Sequence, residues 1–364
     1  MKKQRLFLLC LIVFTFLLCG CNTGKSASEY VGEQITSMKE GNTDIFSPLL
    51  EQGIAKSSSS YALSFTEELK ADYLDFLQTT ARAAQFKVSP AKKTGKDTYS
   101  VTVTFAPLDI RNTMQDIVSS YQTSMASADL TAETTALLTE CEKAISDSPV
   151  YTSETYITLD VSEKEDGYQI DAGDIDEFYN LVFSGFDYMY PFESVCELLN
   201  ARDFILAELN GIFKGDVSGL VKHIDGTEEE LLAECQSQIN FTIPEQFSSD
   251  YTDRYYAALK ALLGVCQYDV GIPRKEEGLS RYTVDITVTP NNGLLQTINE
   301  LGNSTFSSVQ AFSKTTVEKL EQYAAAPVYG EPTVVPVSFS LFSAPTEEDT
   351  ASFELLANTI LPGE

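Results

Sequence analysis

The sequence predicts an α+β fold of two tandem duplicated domains, each with helices packed on a curved antiparallel sheet. Three observations carry this expectation. The segment Tyr99–Pro107 (YSVTVTFAP) is written again as Tyr282–Pro290 (YTVDITVTP), with four identities and the same alternation of apolar residues. Four weaker matches keep the same order. Lys39–Asn42 pairs with Phe213–Asp216, Phe86–Val88 with Tyr268–Val270, Pro149–Tyr151 with Pro327–Tyr329, and Phe178 and Leu181 with Phe353 and Leu356. Finally, a chain of 364 residues fits two domains at roughly 150 residues each.

The first unit spans 29–183. Residues 29–40 read as an amphipathic helix through Tyr30, Ile35 and Met38, broken at Gly41-Asn42. Residues 44–52 read as a short second helix, and 66–84 as a third with Leu69, Tyr73, Leu77 and Ala81 on one stripe. Residues 86–88 and 99–105 alternate as the two arms of a hairpin. Ile110, Met114, Ile117, Tyr121 and Met125 recur at helical spacing, and 131–145 is a further helix. A second hairpin, 156–161 with 168–170, turns at Asp166-Gly167, and a helix over 174–183 closes the unit.

The second unit, 192–364, repeats the plan. It opens with a longer helix over 192–213, a short one over 216–224 and an extra one over 228–239. A long helix over 245–266 precedes its hairpin, and Phe306, Val309, Val317 and Leu320 line the helix after it. The last strand, 334–342, lacks a recognisable partner arm. Between the units, 184–191 (SGFDYMYP) forms a linker too aromatic to be loose.

This element order is similar to that of the cystatin-like and nuclear-transport-factor-like α+β superfamily. It also resembles uncharacterised lipoproteins of Gram-positive bacteria that carry such domains. The resemblance implies a cone-shaped sheet that can enclose a pocket. It assigns no activity, because that superfamily hosts enzymes, binders and assembly modules alike.

The N-terminus reads as an address. Lys2, Lys3 and Arg5 precede an apolar run over 6–18, too short for a membrane span of about 20 residues. The run ends Leu18-Cys19-Gly20-Cys21, which resembles the bacterial lipoprotein signal, with Cys19 a mild departure at the second small position. The resemblance makes 1–20 a signal peptide, places cleavage between Gly20 and Cys21, and makes Cys21 the lipidation site. It implies a membrane partner through that lipid anchor and a location on the extracytoplasmic face of the cell membrane. Residues 21–28 would then be a tether.

Composition narrows the function. The chain has 25 basic against 53 acidic residues and a net charge of −28. Losing residues 1–20 removes three basic residues and no acid, leaving 22 against 53, a net −31. So acidic a body excludes nucleic acid as a partner, since phosphate binding needs a basic surface. It also disfavours lying flat on anionic lipid.

The residues with chemical potential read mostly as structure. Cys141, Cys196, Cys235 and Cys266 each sit on an apolar helical stripe, which favours buried free thiols, with one disulfide in the second unit as the alternative. His223, the sole imidazole, points off the apolar face made by Val217, Leu220, Val221 and Ile224. Ser89-Pro-Ala-Lys92 and Lys93-Thr-Gly95 spell two strings of penicillin-binding enzymes, but they are adjacent inside one hairpin loop, where that geometry is impossible. Asp166, Asp171, Asp174 and Asp176 lack the register of a calcium loop, and Asp174 with Glu177 fits a capping box instead. No metal and no cofactor are expected. The tyrosines 188, 190, 251, 255 and 256 suit packing or a binding surface.

The sequence therefore favours a non-enzymatic binding or accessory protein of the cell envelope, serving an unknown protein or small molecule. Two alternatives stand beside it. One is a pocket enzyme using Asp or Tyr acid–base chemistry, with Asp160 and Asp285 as the strand acids to examine. The other is a structural spacer.

Overall fold

The computed structural model describes residues 26–41, 46–57, 63–183, 189–239, 241–276, 281–341 and 344–363. Residues 1–25, with Gly20, Cys21 and most of the expected tether, lie outside the described residues, as do 184–188 of the expected linker. Described residues up to Glu193, apart from 63–64 and 122–130, form one compact unit, and those two segments join Ser194–Gly363 in a second.

In the first unit, helix α1 (Ala27–Glu40) starts earlier than expected. The Ser26 hydroxyl accepts from the Glu29 N–H, and the Glu29 carboxylate accepts from the Ser26 N–H. This reciprocal cap satisfies two of the N–H groups that a helix start leaves open, so Ala27 and Ser28 of the segment expected as a tether are helical. Helices α2 (Ser47–Ser57) and α3 (Leu69–Ala83) follow. The strands are β1 (Gln85–Val88), β2 (Lys92–Lys93) and β3 (Thr98–Ala106), then β4 (Thr155–Lys164) and β5 (Gly167–Ile170). Helices α4 (Ile110–Ser124) and α5 (Leu130–Asp147) bridge the two strand groups, and α6 (Ala172–Val182) closes.

The five strands form one antiparallel sheet in the order β1-β3-β4-β5, with β2 beside β3. Alternation decides its faces. Val101, Val103 and Phe105 of β3 and Ile157, Leu159 and Val161 of β4 are buried with Tyr73, Phe76 and Leu77 of α3. On the other face the Thr102 and Thr158 hydroxyls pair at 3.1 Å near solvent. Phe178 of α6 meets Phe105 edge to face at 5.6 Å. Asp171 caps α6 by accepting from the Gly173 N–H at 2.9 Å. The capping box expected from Asp174 and Glu177 is replaced by this arrangement, because the Asp174 carboxylate accepts from the Asp160 N–H on β4.

Helix α7 (Tyr190–Leu209) begins inside the expected linker, with Pro191 in its first turn where a missing N–H costs nothing. It runs into a wide π-turn, Asn210–Lys214, which ends at Gly215 with φ +68°, a left-handed position that glycine reaches without strain. The helix expected over 216–224 is a single 3-10 turn, Leu220–Lys222. Asp216 explains this, since its carboxylate takes the Ser218 N–H and hydroxyl and so favours a turn. Helix α8 (Glu228–Ser237) carries a Thr227/Glu230 capping box. Helix α9 (Thr252–Gly264) starts later than expected, after a 3-10 turn at Ser249–Tyr251.

Strands β6 (Gln267–Val270), β7 (Arg274–Lys275), β8 (Arg281–Thr289) and β9 (Thr333–Ser340) make a second antiparallel sheet. Helices α10 (Gly293–Gly302) and α11 (Val309–Ala325) lie between β8 and β9, and α12 (Glu347–Ile360) follows with a Thr346/Asp349 capping box. Val284, Ile286 and Val288 of β8, with Val335, Val337 and Phe339 of β9, face the core beside Leu356 and Ile360.

The two sheets share their pairings. Tyr99 stands opposite Val161 and Tyr282 opposite Phe339; Phe86 faces Phe105 and Tyr268 faces Val288. Isolated bridges join Leu108 to Tyr151 and Asn291 to Tyr329. The Tyr151 hydroxyl donates to the Ala83 carbonyl at 3.0 Å, and Tyr329 donates to Val265 at 2.7 Å. Among the described residues, no helix is long and apolar enough to cross a membrane.

Candidate functional site

The second unit holds an apolar cleft of about 410 Å³ between α9, α10 and α11. That is within the ~300–1,000 Å³ range of small-molecule sites. Thr297 of α10 and Thr316 of α11 form its floor with Leu259 of α9. Phe241 and Pro244, from the segment before α9, make one wall, and Leu294, Ile298 and Leu301 of α10 make another. Gly363 closes one end, because the Asn291 N–H donates to the Ile360 carbonyl at 2.9 Å and draws the following residues against α10.

Helix α10 is the unusual wall. Its sequence places Leu294, Leu295, Ile298 and Leu301 on a stripe, yet only Gly293 and Thr297 are buried. Ile298 is 43% exposed and Leu295 37%. The helix is held by its ends rather than by that stripe. Asn291 donates to the Leu262 carbonyl at 3.0 Å and accepts from the Gly293 N–H at 3.1 Å. At the other end, Lys319 of α11 pairs with Glu300 at 2.8 Å.

Three polar side chains of the lining are already engaged. The Thr297 hydroxyl donates to the Gly293 carbonyl at 2.8 Å, and Thr316 donates to Phe312 at 2.9 Å. Tyr255 donates its hydroxyl to the Thr242 carbonyl at 3.3 Å. Among the described residues, no carboxylate, imidazole, thiol or amine side chain lines the cleft. In the first unit, a pocket lined by Val31, Ile35, Met38 and Phe178 measures only about 30 Å³, the share of one water in the liquid.

The residues that the sequence singled out are dispersed. Of the tyrosines, Tyr255 lines the cleft and Tyr256 lies behind Phe241, with ring centroids 6.5 Å apart; Tyr188 is outside the described residues. Asp160 is exposed, and Asp285 is ion-paired with Arg274 at 3.2 Å on the same outward face of its sheet. His223 is half-buried rather than exposed. Its ring meets Phe204 edge to face at 6.0 Å, and burial pulls its pKa below the ordinary value. The turn at 220–222 instead exposes Val221 and Ile224, two residues expected on a buried face.

Cys141, Cys196, Cys235 and Cys266 are all buried free thiols. Burial pushes the Cys141 pKa up to about 12 and that of Cys266 to about 11. Lys92 and Lys93 form the short strand β2 beside Tyr99 and Ser100, with Ser89 donating its N–H to Thr102, so the serine–lysine strings are a basic hairpin edge. Among the described residues, no cluster of three His, Cys, Asp or Glu side chains could hold a metal ion.

Sequence reading missed Thr297, Thr316, Leu294 and Ile298. Their signal lay in a comparison of the two units, where two bulky residues of the first, Met114 and Leu138, stand opposite threonines in the second.

No protein-family model matches the sequence, and no curated protein matches it. A similar solved structure is that of YcdA, a candidate lipoprotein of Bacillus subtilis. It is 12% identical, with 76% of this chain and 96% of that chain covered and a TM-score of 0.36.

Proposed function

We propose that this chain is a lipid-anchored protein of the extracytoplasmic membrane face, built from a duplicated cystatin-like α+β unit, whose second copy binds a small ligand without chemistry. The cleft between α9, α10 and α11 carries this reading. It is open and of small-molecule size, and among the described residues no acid or base lines it. A duplicated origin is supported by the shared sheet register and by the matched tyrosine hydrogen bonds of Tyr151 and Tyr329. The anchor rests on the Leu18–Cys21 resemblance. A binding role is favoured over a pocket enzyme because Asp160 and Asp285 both face away from their cores, and over a spacer because a spacer has no use for an open cleft.

Two measurements test it. Cys21→Ala should move the protein from the membrane to the soluble fraction of its host; continued tight retention refutes the anchor. Native mass spectrometry of the protein taken from host membranes should show a small-molecule adduct. Finding bare protein in every preparation argues against a resident ligand.

A further inference from the structure

Two residues on the cleft floor differ in size from their counterparts in the first unit, and they bear on what the cleft can take. The bridges Leu108–Tyr151 and Asn291–Tyr329 put the two units in register at the start of α4 and α10. Six residues on, the first unit has Met114, fully buried, and the second has Thr297. Helices α5 and α11 end on matching bonds, Ser148 N–H to Ala144 and Ala326 N–H to Gln322. Six residues before those acceptors stand Leu138, 1% exposed, and Thr316. Two large side chains that fill the first unit are therefore threonines in the second, and both threonines lie on the cleft floor.

Resting on the binding reading above, we infer that the cleft takes an uncharged, largely apolar small molecule, aromatic or aliphatic, with at most one or two hydrogen-bond donors. Three physical points fix this class. A charged group brought onto the lining finds no counter-charge among the described lining residues, and an unpaired ion loses several kcal/mol of hydration there. An anion is further opposed by the net charge of −28. The two threonine hydroxyls of the floor spend their protons on helix carbonyls, so they offer lone pairs alone, and on the floor only a donor on the ligand can be satisfied.

The test uses two probes with one ring skeleton, on the chain from Asn22 onward, which leaves out the expected signal peptide and Cys21. N-phenyl-1-naphthylamine is neutral with one N–H, and 8-anilinonaphthalene-1-sulfonate adds an anion. The neutral probe should bind saturably and at least ten-fold more tightly than the sulfonate. Thr297→Met/Thr316→Leu, which restores the first unit's side chains, should abolish that binding and raise the thermal midpoint. Ile298→Lys, on the exposed wall, should bring the sulfonate to parity or better while the fold stays intact, and it serves where the double variant misfolds. Equal or tighter sulfonate binding that the double variant removes would overturn the neutral class and leave the binding reading standing. Neutral-probe binding that survives the double variant would place the probe elsewhere and overturn the inference. If neither probe binds, the inference fails; a mass-spectrometric adduct would still uphold the binding reading, and bare protein would end both.

Discussion

Thr297 stands on α10 where Met114 stands on α4, each six residues beyond the residue that bridges to a matched tyrosine. The same backbone position thus serves packing in one unit and an opening in the other. Met114→Ala should lower stability by about 2–5 kcal/mol, because a fully buried side chain leaves a cavity. Thr297→Ala should cost under about 1.5 kcal/mol, since it removes one local hydroxyl bond beside space that already exists. Urea unfolding of the chain from Asn22 onward measures both. Equal losses would show that Thr297 packs as tightly as Met114 and that the opening closes in solution.

Much of the fold is legible because it rests on local signals. The capping boxes at Thr227/Glu230 and Thr346/Asp349 sit where acidic runs precede apolar stripes. The alternation of β3 and β8 gives both the strands and their buried faces. Non-local competition hides the rest. Residues 216–224 have helical spacing, but Asp216 spends its carboxylate on Ser218 and the helix shrinks to one turn. The cleft is invisible to periodicity, because a threonine at a core position of α10 reads as an ordinary mixed face. Its meaning depends on which side chains arrive from α9 and α11.

Glu208 gives a pH-dependent term. It lies half-buried on α7, where burial first and Glu234 second push its pKa up to about 7 from an ordinary 4.5. Cys235, buried beside it, is itself pushed up by burial and by Glu208 and Glu234. A raised carboxyl pKa means that the native state holds its proton longer than the unfolded chain. Stability is therefore full below about pH 4.5 and falls as pH rises through about 7, by at most ~3 kcal/mol. Glu208→Gln should flatten that fall and raise the midpoint at pH 8 while leaving it unchanged at pH 4.5. Thermal melts of both proteins from pH 4.5 to 8 decide it, and parallel curves would remove Glu208 as the cause.

The thiols give a redox check. Cys141, Cys196, Cys235 and Cys266 are buried, and the raised pKa values of Cys141 and Cys266 keep them protonated at neutral pH. Thiolate is the reactive form, so a thiol reagent should label none of the four in the native chain from Asn22 onward and all four after denaturation without reductant. Only two labelled after denaturation would reveal a disulfide among them.

Strand β9 lies at an edge, and its protection can be tested. In the first unit β5 covers Val161–Lys164 of β4. In the second, among the described residues, β9 pairs with β8 alone. An open strand edge invites pairing with another chain. Here Ser352 of α12 accepts the outward Ser338 N–H at 3.1 Å, as Asp174 of α6 accepts that of Asp160. Two residues before Ser338, on the same outward side, Pro336 has no N–H to offer. Its neighbour on that side, Val334, is 58% exposed, so a partner strand would also find an apolar contact. Proline and serine together thus leave the edge with few free donors. Pro336→Val with Ser352→Ala restores both, and the double variant should keep its circular dichroism yet form larger species than the parent chain in sedimentation velocity. Each single variant should show less, because one blocked position still interrupts the ladder. Unchanged sedimentation of the double variant at matched concentration would mean that α12 itself, rather than these two residues, shields the edge.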